Sequence, residues 1–146
     1  MEPYAVKLNG NQKLATLRAA LRWFLALIYC AAGILHILRP QWFMQITPAW
    51  VPYPLQVILL TGVCEVLGGL ALLGQRFRKA AGFALALYAV CVYPANIKHA
   101  IDSLSAANVT LGWCYHAPRL AFQPVLVWWA LFAGENINWP FNRRVE

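Results

Sequence analysis

Four apolar runs decide what this chain can fold into. Residues 19–38, 55–74, 80–97 and 118–137 are dominated by Leu, Ala, Val, Ile and aromatic side chains. Each approaches the roughly 20 residues a helix needs to cross a hydrocarbon core of about 30 Å. In lipid every backbone amide must be satisfied within a helix or a closed barrel. Barrel strands alternate in polarity over about ten residues, and these runs do not alternate. The expected fold is therefore all-α, a four-transmembrane-helix bundle forming a single domain over residues 1–146. The composition leans the same way, with 61% hydrophobic and only 12% charged residues and a mean hydropathy of +0.53. Soluble domains carry about 25% charged residues.

The cationic residues give the expected orientation. Lys7, Lys13, Arg18 and Arg22 lie at the start of the first run, Arg76, Arg78 and Lys79 between the second and third, and Arg143 and Arg144 in the tail. Only Arg39, Lys98 and Arg119 fall on the other side. Cytoplasmic connections carry the excess of Lys and Arg, so the expectation is a multi-pass protein of the cell (inner) membrane with N-in and C-in termini. The net charge of +7 does not point to nucleic acid, because the basic residues flank apolar runs and form no stripe or recognisable module. The bilayer is the expected partner. Residues 1–18 are polar for too long to be the n-region of a signal peptide. Cys30, Cys64, Cys91 and Cys114 show neither a CxxC nor a zinc spacing, so no redox or metal role is expected of them. The first outer connection, "RPQWFMQITPAWVPYP", is rich in aromatic rings that suit the headgroup level. The second holds a glycosylation sequon at Asn108-Val109-Thr110.

The polar residues inside the runs carry the chemistry. Glu65 lies ten residues past Leu55, about 15 Å below the outer edge of its helix at 1.5 Å per residue. A bare carboxylate there costs at least about 2.5 kcal/mol. Its helical neighbours Thr61, Gly62, Gly68 and Gly69 are all small, a stripe that lets another helix approach. Asn96 falls near the outer end of the third run and His36 near that of the first, while Arg119 and Gln123 stand one turn apart on the fourth. Pro94 and Pro124 free the carbonyls of Val90 and Leu120, with Asn96 and Gln123 as nearby donors. The expectation is one polar cluster in the outer half of the bundle, made of Glu65, Asn96, Arg119, Gln123 and His36, with a Glu65–Arg119 pair at its centre if the cluster is a clamp. Arg39 and Lys98 are expected to snorkel, and His99 and His116 to lie in loops. Two readings stay open at this point: a ligand or proton site, and a structural clamp between helices.

The succession "GILHILRPQWF", "ITPAWVPYP", "TGVCEVLGGLALL", "RFRKAAGFALALYAVCVYPANI" and "RLAFQPVLVWWALF" resembles the DoxX family of small four-helix membrane proteins. The match is carried most specifically by Pro94-Ala95-Asn96 and by Glu65 with Gly68 and Gly69, and it extends to His36, Arg119, Gln123 and Pro124. The resemblance implies an association with quinone-linked oxidoreductases, with a quinone as the ligand and a redox subunit as the partner. His36, Asn96, Arg119 and Gln123 supply donors for a quinone headgroup, and Glu65 accepts or delivers protons. No haem-ligand pair, CxxC or nucleotide fingerprint supplies an electron carrier, so any enzymatic role is that of an accessory subunit. The alternative is an assembly factor or scaffold that binds another membrane protein, with the polar cluster as a clamp. A channel or carrier is disfavoured by a single buried acid and the lack of repeated ion-coordinating breaks.

Overall fold

The computed structural model describes residues 10–105 and 112–141, and among these every regular element is a helix. In chain order they are α1 (Gly10–Leu38), α2 (Pro40–Met44), α3 (Pro54–Leu73), α4 (Arg78–Ser105) and α5 (Trp113–Ala133). Lys7, Arg143, Arg144 and the sequon at Asn108 lie outside the described residues.

Helices α1, α3 and α4 are long and apolar enough to cross a membrane. Only 28% of each apolar stretch is buried inside the protein. The rest faces outward, with Trp23, Leu27, Leu60, Leu67 and Phe83 each more than half exposed. A soluble monomer rarely presents apolar surface on that scale, so these faces suit lipid. Helix α5 has 21 residues, but His116, Pro118, Arg119, Gln123 and Pro124 interrupt its apolar character.

The long helices close a ring in which α1 packs on α3, α3 on α4, α4 on α5, and α5 back on α1. Short α2 lies against α1 and α3. Glycines set the closest approach. A Cβ on Gly33 would stand 2.5 Å from the Gly62 carbonyl oxygen, and one on Gly62 would stand 2.8 Å from that of Gly33. Backbone therefore meets backbone between α1 and α3, as the small-residue stripe around Glu65 leads one to expect. At the other end Gly82 of α4 and Gly134 make the same kind of contact, 2.6 Å from either added Cβ to the other's Cα. Between these contacts Leu25, Leu72, Leu85, Trp129 and Ala130 form the buried core.

Several boundaries differ from the apolar runs. Helix α4 continues to Ser105, because Lys98 and Asp102 pair one turn apart and Ala100 is buried. "YPANIKH" therefore lies inside a helix and not at its end. His99 and His116 are helical as well, on α4 and α5, and His116 is fully buried. Their expected loop placement fails because both helices outrun the apolar segments that the sequence makes visible.

Helix α5 stops at Ala133, short of the expected residue 137, because the chain closes there on a capping motif. The Asn136 N–H donates to the Leu131 carbonyl at 2.9 Å and the Glu135 N–H to that of Phe132 at 3.2 Å, the bond pair of a Schellman cap. The left-handed position, where glycine is usual, is taken by Glu135 at φ 63°. Its carboxylate explains the choice. One oxygen accepts from Arg22 at 2.7 Å and from Arg78 at 2.9 Å, tying α1 and α4 to the end of α5. Arg22 also donates to the Ala133 carbonyl, and Arg18 to Asn138, each at 2.9 Å. Arg18 stacks over the Phe132 ring. These arginines are more than interfacial anchors.

Burial alone would push the Glu135 carboxyl up, but Arg78 and Arg22 outweigh it and hold the group below its ordinary value of 4.5. A depressed carboxylate stabilises the fold above its unfolded pKa and ceases to do so as pH falls through the folded one. Glu135→Gln is thus expected to lower the detergent unfolding temperature at pH 7. The gap between variant and wild type should close below the ordinary carboxylate range; a gap persisting unchanged at the lowest pH reached would show that the ion pairs contribute nothing.

Candidate functional site

A cavity of about 610 Å³ opens among all five helices, within the roughly 300–1,000 Å³ typical of small-molecule sites. Its walls include His36 from α1, Phe43 from α2, Thr61 and Glu65 from α3, Tyr88 and Asn96 from α4, and Arg119 and Gln123 from α5. All five residues expected to form the polar cluster therefore line one space. Ile28, Val57, Phe122 and Leu126 make much of the remaining wall apolar, and Trp50 of the α2–α3 connection also borders it.

One side of the cavity is a relay of amides. Arg119 Nη2 donates to Asn96 Oδ1 at 2.6 Å, Asn96 Nδ2 to Gln123 Oε1 at 3.1 Å, and Gln123 Nε2 to the Ala89 carbonyl at 2.5 Å. The orientation is forced from one end. A guanidinium only donates, so Asn96 must turn its oxygen toward Arg119 and its nitrogen toward Gln123, and Gln123 must then seek a carbonyl. The bond to Arg119 is charge-assisted and hence the strongest of the three. Arg119 still has donors to spare, because Nη1 is buried with no hydrogen-bond partner among the described residues.

The other side is acidic. Glu65 is 4% exposed, and its Oε2 lies 2.7 Å from His36 Nδ1. His36 Nδ1 is also 3.0 Å from the Ala32 carbonyl oxygen. By distance the imidazole and the carboxylate are paired. By direction the Nδ1 proton is aimed at Ala32, which leaves Oε2 without an aligned donor. The His36 ring lies on that of Phe43, centroids 3.8 Å apart, which holds the imidazole beside α3. Tyr29 and Tyr88 stand close enough to feel the Glu65 charge.

Three sequence expectations are corrected here. Glu65 takes His36 as its neighbour and not Arg119. The acid is on α3 and the guanidinium on α5, which face each other across the helix ring without packing together. Residue depth is legible from helix rise, but azimuth is not, and azimuth chose the partner. Asn96 does not serve the Val90 carbonyl freed by Pro94; both of its amide atoms are taken by α5. Lys98 finds Asp102 one turn away, so its head is paired and not simply extended toward the interface.

Some contributors were not singled out from sequence. Tyr88 precedes Asn96 by two helical turns, so a search for polar tips on the Asn96 face would have found it. His116 is buried with neither ring nitrogen partnered among the described residues, and its ring sits 5.2 Å from that of His99. Among the described residues no group of three or more His, Cys, Asp or Glu is placed to hold a metal ion.

Chemically, the cavity offers a cationic donor on one wall and an anionic acceptor on the other, with apolar surface between them. Neither a curated protein nor a solved structure matches the chain. The model of a family described as a domain of unknown function (DUF8561) matches residues 25–134. That span runs from the core of α1 past the end of α5 and takes in every cavity residue named above, and this chain belongs to the DUF8561 family.

Proposed function

We propose that this protein is a four-span membrane protein of the DoxX type, N-in and C-in, residing in the cell (inner) membrane. Its outer-half cavity binds a small amphiphile with an oxygen-bearing head, a quinone ring being the leading class. Electrons come from a partner subunit in this reading, which rests on a sequence without a CxxC, a haem-ligand pair or a nucleotide fingerprint. The fourth span is α5, whose polar residues point to the cavity and the Arg119–Asn96 relay.

One observation carries the ligand reading against the clamp. Among the described residues Arg119 Nη1 has no hydrogen-bond partner and Glu65 Oε2, although 2.7 Å from His36 Nδ1, has no aligned donor, yet both residues line the same cavity. A structural clamp gains its strength by satisfying every buried polar atom, and a partly satisfied one is worse than an apolar core. Two incompletely satisfied groups of opposite sign around one space suit a site that its ligand completes. The scaffold reading draws on a different feature, the exposed Trp50 and Tyr53 of the outer connection, which suit a protein contact and equally suit the headgroup layer.

The test is extraction of the protein with native lipids, followed by mass spectrometry of what it retains. A ring-bearing amphiphile enriched on wild type over Arg119→Leu is expected. Bulk lipid alone on both would refute the ligand reading and favour the scaffold. The orientation has its own check. Exposed Cys114 is expected to react with a membrane-impermeant thiol reagent in intact cells, and a cysteine introduced at Gln75 is not. The reverse pattern would invert the topology.

A further inference from the structure

The two walls of the cavity are not equivalent, and their difference selects among ligands. We infer that the site prefers a hydroxyl-bearing ring, the reduced dihydroxy form of a quinone-type ligand, over the oxidised dicarbonyl form. This rests on the reading of the cavity as a ring-binding site and adds which redox form it holds.

The argument starts from donor and acceptor inventories. Arg119 has donors only, and an ionised Glu65 has acceptors only. A ligand that spans from α5 to α3 must accept at one end and donate at the other. A ring carbonyl accepts from Arg119 but brings no hydrogen to Glu65. A ring hydroxyl does either. The dihydroxy form therefore satisfies both walls, accepting at Arg119 and donating to the carboxylate, while the dicarbonyl form sets an oxygen lone pair against an anion.

Near Glu65 the Tyr88 hydroxyl also reaches toward the carboxylate, but Oε2 keeps no aligned donor among the described residues. The Nδ1 proton of His36 is directed to Ala32, and the Tyr29 hydroxyl reaches the Leu85 carbonyl at 3.4 Å. Thr61 donates to the Ile58 carbonyl at 2.8 Å. On the opposite wall Asn96 and Gln123 are occupied with each other, with Arg119 and with Ala89, which leaves the guanidinium as the donor on offer. Burial sharpens the discrimination, since Glu65 is 4% exposed and water does not readily replace a missing ligand proton. A site that hydrogen-bonds a ligand hydroxyl can reject the analogue lacking it by about 10⁴–10⁵; one bond to a site that still keeps His36 nearby supports a smaller factor, about tenfold or more.

The experiment uses the whole protein in phosphatidylcholine nanodiscs under argon. Binding of a decyl-substituted 1,4-hydroquinone and of the matching 1,4-benzoquinone is measured by ultrafiltration with chromatographic quantitation. The dimethyl ether of the hydroquinone serves as a third probe, which accepts but cannot donate and needs no protein variant. The hydroquinone is expected to bind about tenfold or more tighter than either of the others, and Glu65→Gln, which supplies an amide donor, is expected to abolish that preference. Equal affinities for all three probes would overturn the inference and leave the ring-binding reading standing. Retention of the preference in Glu65→Gln would overturn the role given to the carboxylate. Failure of every probe to bind above empty nanodiscs would overturn both the inference and the reading beneath it.

Discussion

Gly33→Leu is expected to prevent α1 and α3 from docking, the largest loss of stability of any single change considered. The first atom its Cβ meets is a backbone carbonyl oxygen at 2.5 Å, followed by Val66 and Glu65 side-chain carbons at 2.8 and 3.0 Å. Overpacking typically costs about 1–3 kcal/mol when side chains can shift. Here the obstacle is the α3 backbone, which shifts only if the whole helix does, so the loss should exceed about 3 kcal/mol, beyond that usual range. Movement of α3 would also carry Glu65 away from His36. Gly68→Ala is the control. Its Cβ meets the end of the Leu85 side chain at 2.7 Å, and the better helix propensity of alanine, worth about 1 kcal/mol, offsets the adjustment. Unfolding titrations in mixed micelles should separate the two variants clearly. Equal stability of both would mean that α1 and α3 do not meet backbone to backbone.

The second large effect belongs to the relay. Asn96→Leu keeps the side-chain volume but removes the one acceptor that Arg119 has among the described residues, where its Nη1 is already without a hydrogen-bond partner. Breaking a buried ion pair in a soluble protein costs about 3–5 kcal/mol. Interhelical hydrogen bonds in membranes reach only about 1.7 kcal/mol, because the unfolded reference state also finds partners. A cation left bare lies between these limits, so about 2 kcal/mol is expected. The diagnostic is the double variant. Asn96→Leu/Arg119→Leu should recover at least half of that loss, since the unpaired charge is gone. Glu65→Gln with Arg119→Leu should instead be additive within about 0.5 kcal/mol, as for residues with no shared partner. The opposite pattern, coupling at Glu65 and additivity at Asn96, would restore the pairing that the sequence suggests.

That contrast marks how far the sequence could be read. The helical class followed from run length alone. The Glu65 stripe was legible because three- and four-residue spacing fixes one face of one helix: Gly62 meets Gly33, and Gly69 stands 3.0 Å in added-Cβ distance from the Ala26 carbonyl. Gly68, which the same spacing put on the stripe, meets Leu85 of α4 instead. Depth was legible too, since a constant rise put Asn96 and Gln123 near one level and they do bond. What escaped were relations between helices, set by rotation about each axis and by ring order. The Arg22–Glu135–Arg78 clasp escaped for a related reason: a charge count treats cations at a membrane edge as anchors, and only the left-handed turn at Glu135 brings a carboxylate back among them. Pro118 hid the start of α5, because a proline reads as a boundary even where a helix begins five residues earlier.

The central claim is that the cavity among the five helices is a site completed by a ligand. Ala95 lines it, and Ala95→Phe adds a ring to its lining while leaving the residues Glu65, Arg119, Asn96 and Gln123 themselves unchanged. Native mass spectrometry of the intact protein released from native-lipid nanodiscs, wild type beside Ala95→Phe, tests the claim most directly. The account predicts a small-molecule adduct on wild type that Ala95→Phe lacks, with the variant no less stable once delipidated. Bare protein in both spectra, with Ala95→Phe simply more stable than wild type, would contradict it.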